Sequence, residues 1–521
     1  MRDWILDRWR GRWLELVASV VNIAGIVIAV GWFLALFLAH VKMITQLGPQ
    51  EYNEPAVYHM TWLIEHGRNP FELKELPAAL NCFGPLYNYV VLAFKPLLGT
   101  DYVAHRMVNL IFLVASLALL VRVMLRAGTG LGIALLSVVF YYWMGLDNIM
   151  ITARPDLVGL FFFLLGLLVP WERNYTRGST IFGLVCALIA IHCKLYFGLA
   201  GCATLMGYFM VRSKREACWM GVGFFGLLGL SMGICCLVYP YFYLETFTIL
   251  RRIAVLNSHE DISITHTLML FQNGWPFMLL MLYGVGVQLW RRESARRHGR
   301  PAGTAEGLRL QVLGASFLIF LMIVYFYMGW NAGAWFTYHL HLLFPLMFVL
   351  TAYSLTRPWV KIGFGVLLAV FVLCSLKIPP VPESNSPYRK MEQLIYACRG
   401  EVLGIPAVTD IFLRQGRRVL HNGNTMYVGF AFADEGIARY PKVAALSNNY
   451  NAIGDEVVHK IKTREYLMVL TEFDEPYFCT SELLKQNYDK VDQIDYFTYF
   501  GHSPVRVWRP KPREEGGSNS P

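Results

Sequence analysis

About eleven stretches of this chain are long and apolar enough to fill a lipid bilayer, and that constraint comes before every other. A hydrocarbon core of ~30 Å takes about 17–25 apolar residues per helix. Runs of this kind occupy roughly 17–40, 104–125, 130–147, 155–170, 179–193, 195–211, 216–238, 274–290, 308–328, 338–355 and 359–376. A soluble fold cannot hide so much apolar surface. With 55% hydrophobic and only 16% charged residues, the chain reads as an α-helical polytopic membrane protein.

Short basic loops stay in the cytoplasm, and here they alternate. Arg2, Arg8, Arg10 and Arg12 precede the first span, and every second connection after it is basic: Arg122/Arg126, Arg173/Arg177, Arg212/Lys214/Arg215, the run 291–300 and Arg357/Lys361. The intervening connections hold acids, aromatics and histidines. The N-terminus is therefore expected in the cytoplasm, and an odd number of spans puts the tail on the outer side together with the first external loop, 41–103. The net charge of +10 comes mostly from cytoplasmic loops, so it speaks for topology and against nucleic-acid binding. The first apolar run is long for a cleaved signal and reads as a retained anchor. With no targeting signal or external glycosylation pattern, the expected location is a bacterial inner (plasma) membrane, with the tail periplasmic or extracellular.

Two units are expected: a transmembrane domain over 1–376 and a small external α/β domain over 377–521, after the linker KIPPVPESNSP. In the tail the candidate strands are 406–412, 417–421, 466–473 and 505–510, with helices near 388–398 and 453–463. In the first external loop, apolar residues at helical spacing in EPAVYHMTWLIEHG and PLYNYVVLAFKPLLG predict two helices lying at the interface. Most of the ten cysteines fall inside spans; Cys398 and Cys479 are the two in the tail open to pairing. No GxGxxG, Walker loop, CxxC or HExxH occurs, which leaves nucleotide cofactors and structural zinc without support.

The residues open to chemistry gather on the outer side. Glu51 and Glu54 follow the first span, where a carboxylate can act as a base on an incoming hydroxyl or amine, or simply be solvated. Arg154 and Asp156 open a later span, where charge is costly unless it has a partner or ligand; they read as an internal brace or as a phosphate- and metal-facing pair. His192 and Lys194 interrupt an apolar stretch at an outer turn, with Lys194 able to meet a lipid phosphate or to snorkel. Tyr338, His339 and His341 head a late span; the two histidines point apart on a helix, and His341 is the one favoured to face the site. Arg251, Arg252, His259, Glu260, Asp261 and His266 crowd another external loop, either solvated or forming a lid.

In order along the chain, NEPAVYHMTWLIEHGRNPF, GPLYNYVV, AHRMVNLIF, ARPDLVGLFFFLLGL, the lysine of HCK and a tyrosine before LFP resemble the GT-C glycosyltransferases. The branch they resemble is that of the protein mannosyltransferases and aminoarabinose transferases. The resemblance covers about 40–375 well and the tail weakly. It implies a sugar transferase that uses a polyprenyl-phosphate-linked donor at the outer face and hands the sugar to a glycan, lipid or protein acceptor. It also implies Glu54 as catalytic base and Asp156 as second acid. Glu51, Arg154, Lys194, His192, Tyr338 and His341 would contact substrate, and a divalent metal (Mg or Mn), if one assists, would bind Asp156 and Glu54. The chain carries Asn53-Glu54 where the protein mannosyltransferases have an Asp-Glu pair, which loosens the inference to a protein acceptor. The chemistry fits an inverting single displacement, since a phosphate leaves as a stabilised anion and needs little acid help. Two other classes fit a polytopic chain: a secondary transporter, which predicts ionisable residues at the bilayer midplane and related halves, and a ligase or polymerase that moves a whole glycan from its lipid carrier.

Overall fold

In the computed structural model of the chain, the described residues are 2–147, 151–249, 251, 275–279, 282–283, 286, 305–323, 336–355, 358–379, 381, 384–425, 428, 441–472, 478–498 and 501–512. Among them ten of the eleven expected spans are helices: α1 (Arg2–Ile44), α4 (Tyr102–Arg126), α5 (Leu131–Asp147), α6 (Asp156–Glu172), α7 (Arg177–Cys193), α8 (Leu199–Val211), α9 (Lys214–Val238), α10 (Ala305–Met322), α11 (Phe336–Ser354) and α12 (Pro358–Ser375), and the expected span 274–290 lies largely outside the described residues. Four, namely Arg12–Ile44, Tyr102–Arg126, Lys214–Val238 and Pro358–Ser375, are long and apolar enough to cross a membrane by length and composition; others are shorter apolar helices. These helices expose long rows of apolar side chains, Leu38 (63% exposed) and Leu237 (84%) among them, a surface suited to lipid. The chain is a multi-pass membrane protein. Helix α1 has 43 residues, ~65 Å at ~1.5 Å per residue, so it runs well past one bilayer core.

Inside the bundle, aromatic rings close the space between helices. Phe277 packs at 4.8 Å from Phe348, and Phe140 at 5.5 Å from both Phe344 and Phe371. Small residues let backbones approach: Asn22 Oδ1 of α1 accepts from Gly132 N at 2.8 Å, and a Cβ on Gly132 would lie 2.3 Å from Asn22 O.

Between α1 and α4 lie α2 (Glu54–Glu65) and α3 (Leu86–Leu98). Only α3 behaves as an interfacial helix, with Tyr89 and Leu97 exposed and Tyr87, Asn88 and Val91 buried. Helix α2 departs from that expectation: Glu54 to Thr61 and Leu63 are all buried. Its amphipathic pattern faces protein on both sides, because the tail covers the face that was expected to meet headgroups. Polar bonds lock α2, α3 and α4 together. Asn88 Nδ2 donates to Val57 O and Thr61 Oγ1, both at 2.8 Å, and Thr61 Oγ1 lies 2.8 Å from His105 Nε2.

The tail forms a four-stranded sheet of β1 (Val402–Leu403), β2 (Met468–Thr471), β3 (Tyr488–Thr498) and β4 (Gly501–Pro510), in the order β1-β2-β4-β3. β1 and β2 are parallel, and the β2/β4 and β4/β3 pairs are antiparallel. Helices Ser386–Ala397 and Pro441–Lys462 pack with it. Two expected strands are absent. Residues 406–412 coil into a 3₁₀ turn and the helix Thr409–Arg414, since Pro406 sits at a helix-starting position and Ala407 to Leu413 are buried consecutively, not alternately. Residues 417–421 have no ladder; Arg417 instead donates to Cys398 O at 2.5 Å and Gly400 O at 2.8 Å. Cys398 and Cys479 are both free.

The tail is bolted to the 45–101 segment. Tyr496 Oη donates to Pro49 O at 2.5 Å, Leu47 N donates to Asn385 Oδ1 at 2.9 Å, and Asn449 Nδ2 reaches Leu73 O at 3.0 Å. The rings of Tyr58 and Tyr102 meet at 4.9 Å beneath it.

Gly132→Ala is expected to destabilise the protein by about 1–3 kcal/mol, because Asn22 O is backbone and cannot step aside. Thermal unfolding in lipid checks this, and an unchanged midpoint would mean that α1 and α5 are not in the contact described.

Candidate functional site

Three carboxylates and three cations gather where α4, α6 and α7 emerge beneath the tail. The turn that carries Arg154 is set by α4: Asn109 Nδ2 donates to Thr152 O at 2.5 Å and to Arg154 O at 2.9 Å. Pro155 then precedes Asp156, the first residue of α6, where a carboxylate complements the helix dipole.

Arg154 sits between two acids. Its Nη1 lies 3.3 Å from Glu51 Oε1 and its Nε lies 3.3 Å from Asp156 Oδ2. Lys194 Nζ lies 2.7 Å from Asp156 Oδ1, and Tyr196 Oη donates to the same oxygen at 3.4 Å. Both cations lie over the Phe83 ring, Lys194 Nζ at 4.9 Å and Arg154 Cζ at 5.5 Å from its centroid. Glu51 also accepts from Asn53 N at 3.0 Å and Asn53 Nδ2 at 2.6 Å. The side chains of Glu51 and Asp156 are 0% exposed, that of Lys194 9% and that of Arg154 10%. Burial raises the Glu51 carboxyl above the usual range, against the pull of Arg154. Burial also pushes the Lys194 ammonium down to about 8, with Asp156 opposing the fall.

Glu54 is part of the same assembly but faces elsewhere. Arg106 Nε donates to its Oε1 at 2.9 Å and Arg106 Nη2 to its Oε2 at 2.6 Å, a two-pronged pair with Arg106 1% and Glu54 0% exposed. Ala153 N donates to Oε1 at 2.6 Å and Gln50 N to Oε2 at 2.5 Å. The remaining guanidinium donors reach Gln46 O at 2.6 Å and Gly48 O at 2.8 Å. Glu54 thus holds four donors and points into protein, a poor stance for the base that the sequence resemblance makes it. A divalent cation fits no better. Glu54 is filled by Arg106 and two backbone amides, Glu51 and Asp156 are each tied to cations, and no three metal-ligating side chains converge among the described residues.

Of the remaining expected contacts, His192 turns away: its Nε2 lies 2.9 Å from Ser231 Oγ of α9, which makes it a link between spans. The side chains of Tyr338, His339 and His341 lie outside the described residues, as do Arg252, His259, Glu260, Asp261 and His266; Arg251 is described and exposed. Sequence reading passed over Arg106 and Asn109, although an arginine just inside a span announces a partner. It also passed over Glu245, which is fully buried in the π-turn Leu244–Ile249 and accepts from Asn81 N at 3.2 Å. Burial raises its carboxyl well above the usual range. Its bond to Asn81 ties the π-turn to the 76–84 segment.

No family model matches the chain, and no curated protein matches it significantly. Among solved structures it is similar to ArnT from Cupriavidus metallidurans bound to undecaprenyl phosphate (16% identity, 87% of this chain and 80% of that one, TM-score 0.39). The apo state of the same protein aligns at 17% identity over 87% and 81%, with a TM-score of 0.39. The Archaeoglobus fulgidus oligosaccharyltransferase aligns at 10% identity over 96% and 75%, with a TM-score of 0.44. Both neighbours are GT-C membrane glycosyltransferases. Alignments this loose leave any functional reading to stand on the residues.

Glu54→Gln is expected to cost about 3–5 kcal/mol of stability by leaving the Arg106 charge buried and unbalanced. Combining Glu54→Leu with Arg106→Met should recover part of that loss. Unfolding midpoints in lipid decide it: a Glu54→Gln protein as stable as wild type would show that the pair is not a brace.

Proposed function

We propose that this chain is a glycosyltransferase that takes a sugar from a polyprenyl-phosphate donor and passes it to an acceptor at the face carrying the C-terminal domain, the outer face of the membrane. The observation that carries the reading is the pair of cations, Lys194 and Arg154, held 2.7 Å and 3.3 Å from the two oxygens of Asp156 where helices leave the bilayer. A lipid-linked phosphate emerges at that depth. Asp156 fixes both cations before the ligand arrives, so little reorganisation is needed when phosphate charge develops. A guanidinium beside an ammonium suits a phosphate oxygen set.

The base assignment moves from Glu54 to Glu51. Glu51 lies across Arg154 from Asp156, and its carboxyl, raised by burial, accepts a proton more readily than an ordinary glutamate. In the displacement, an acceptor hydroxyl or amine attacks the anomeric carbon, and the new bond forms opposite the bond to the phosphate oxygen. The electron pair of the breaking bond leaves with polyprenyl phosphate, and the acceptor proton passes to Glu51. The anomeric configuration inverts. Glu54 and Arg106 hold the scaffold that keeps Glu51 and Arg154 in register.

Two outcomes are expected. In a transfer assay with folded protein in lipid, a panel of polyprenyl-phosphate sugars and membrane extract as acceptor, Glu51→Gln should lower turnover about 10²–10⁴-fold. Full turnover in that variant would remove Glu51 from the mechanism. Consumption of no donor by folded wild-type protein would put transport or whole-glycan transfer ahead. The second outcome concerns pH. The ammonium is the form that binds phosphate, and Lys194 in the free protein loses its proton as pH rises through about 8. The kcat/KM for donor should therefore fall above about that value. Lys194→Arg, which keeps its charge, should abolish that basic limb; a limb retained in the arginine variant would assign it to another group.

A further inference from the structure

One piece of the C-terminal domain reaches into the 76–84 segment that lies over the cations. His421, Asn422, Gly423, Asn424 and Thr425 are all buried. Asn422 Nδ2 donates to Leu80 O at 3.0 Å and Thr425 Oγ1 to Pro77 O at 3.2 Å. Asn422 Oδ1 accepts from Asn424 N at 3.1 Å. Gly423 adopts φ +94°, and a Cβ there would lie 2.2 Å from Tyr52 O, so only glycine lets this backbone pack beside the turn that carries Glu51.

Those bonds occupy Asn422 and Thr425 but not all of Asn424. Its Nδ2 reaches Cys82 Sγ at 3.8 Å, while its Oδ1 is buried without a hydrogen-bond partner. A buried amide oxygen with no donor is costly unless a ligand supplies one. Cys82 places it: the amide touches this thiol, and the next ring, Phe83, lies under both cations. Asn424 therefore stands beside the residue that precedes Phe83, whose ring lies under the phosphate-binding pair. A neutral polyol attached to that phosphate carries the hydroxyl donors that such an oxygen lacks.

Resting on the transferase reading above, we propose that Asn424 is a specificity residue, its Oδ1 accepting a hydrogen bond from a hydroxyl of the sugar carried by the donor. The C-terminal domain is then a wall of the active site that selects the sugar, and the membrane helices supply the phosphate site.

The test is binding of full-length protein in nanodiscs to bare polyprenyl phosphate and to the same lipid bearing each sugar of a panel. Asn424→Leu is expected to bind the bare lipid as wild type does and to bind the preferred sugar-bearing lipid about tenfold more weakly, the worth of one hydrogen bond. Lys194→Ala should weaken both. Undiminished sugar preference in a folded Asn424→Leu protein overturns the proposal. Should that variant not fold, donors deoxygenated at one position at a time, tested on wild-type protein, replace it. One deoxy donor should lose about tenfold, and equal affinity across the series overturns the assignment. Wild-type protein that binds neither lipid refutes the transferase reading itself, and the role of Asn424 falls with it.

Discussion

A guanidinium buried on a membrane helix sets the terms for everything around it. Arg106 lies in the first turns of α4, 1% exposed, where an unpaired charge would be prohibitive. Its answer is Glu54, and the two-pronged pair fixes more than two side chains. Through the carbonyls of Gln46 and Gly48 it holds the exit of α1, and through the amide of Ala153 on Glu54 it holds the approach to α6. Three helices that are distant in sequence thus share one electrostatic anchor. Asn109, one turn along α4, clamps the same 152–154 turn. The placement of Arg154 and Asp156 follows from these bonds.

The three acids of the assembly have the same side-chain chemistry and different prospects because their partners differ. Glu54 is bonded to Arg106 and two backbone amides and is fully enclosed. Asp156 spends both oxygens holding cations. Glu51 is held by Asn53, a neutral partner, and shares Arg154 with Asp156. A residue that must exchange a proton needs a neighbourhood that tolerates both of its forms, and a neutral amide does so better than a bidentate guanidinium. Asn53 therefore matters as the residue whose two donors hold Glu51 and favour its ionised form, the form that the proposed base requires.

Much of this was legible in the chain. Long apolar runs fix where helices lie, and ARPD and HCK announced the cluster because charge beside lipid demands a partner. What could not be read was which partner. Glu51 and Glu54 are three residues apart, and only the tertiary approach of Arg106, some fifty positions on, decides which is enclosed. The pattern of α2 was read correctly as helix and wrongly as interfacial, since periodicity reports an apolar face without saying whether lipid or another domain covers it. In the tail, residues 406–412 are rich in strand formers, yet Pro406 and consecutive burial turn them into helix. The strand Tyr488–Thr498 went unseen because its charged residues face solvent at the sheet edge.

On the proposed reading, the electrostatics of the cluster couple its two tasks. Glu51, Arg154, Asp156 and Lys194 alternate in sign and sum to zero, so their charges balance within the cluster. Proton transfer from the acceptor to Glu51 removes one negative charge from beside Arg154. At that moment the phosphate on the far side gains charge as its bond to the sugar breaks. The guanidinium, still held by Asp156 but no longer facing an ionised Glu51, then acts more strongly on that charge, and it does so where water screens little. A base placed on Glu54 would lack this property, because its partner Arg106 is committed to backbone carbonyls and cannot turn toward a leaving group. The shared arginine ties the proton taken on one side to the phosphate released on the other.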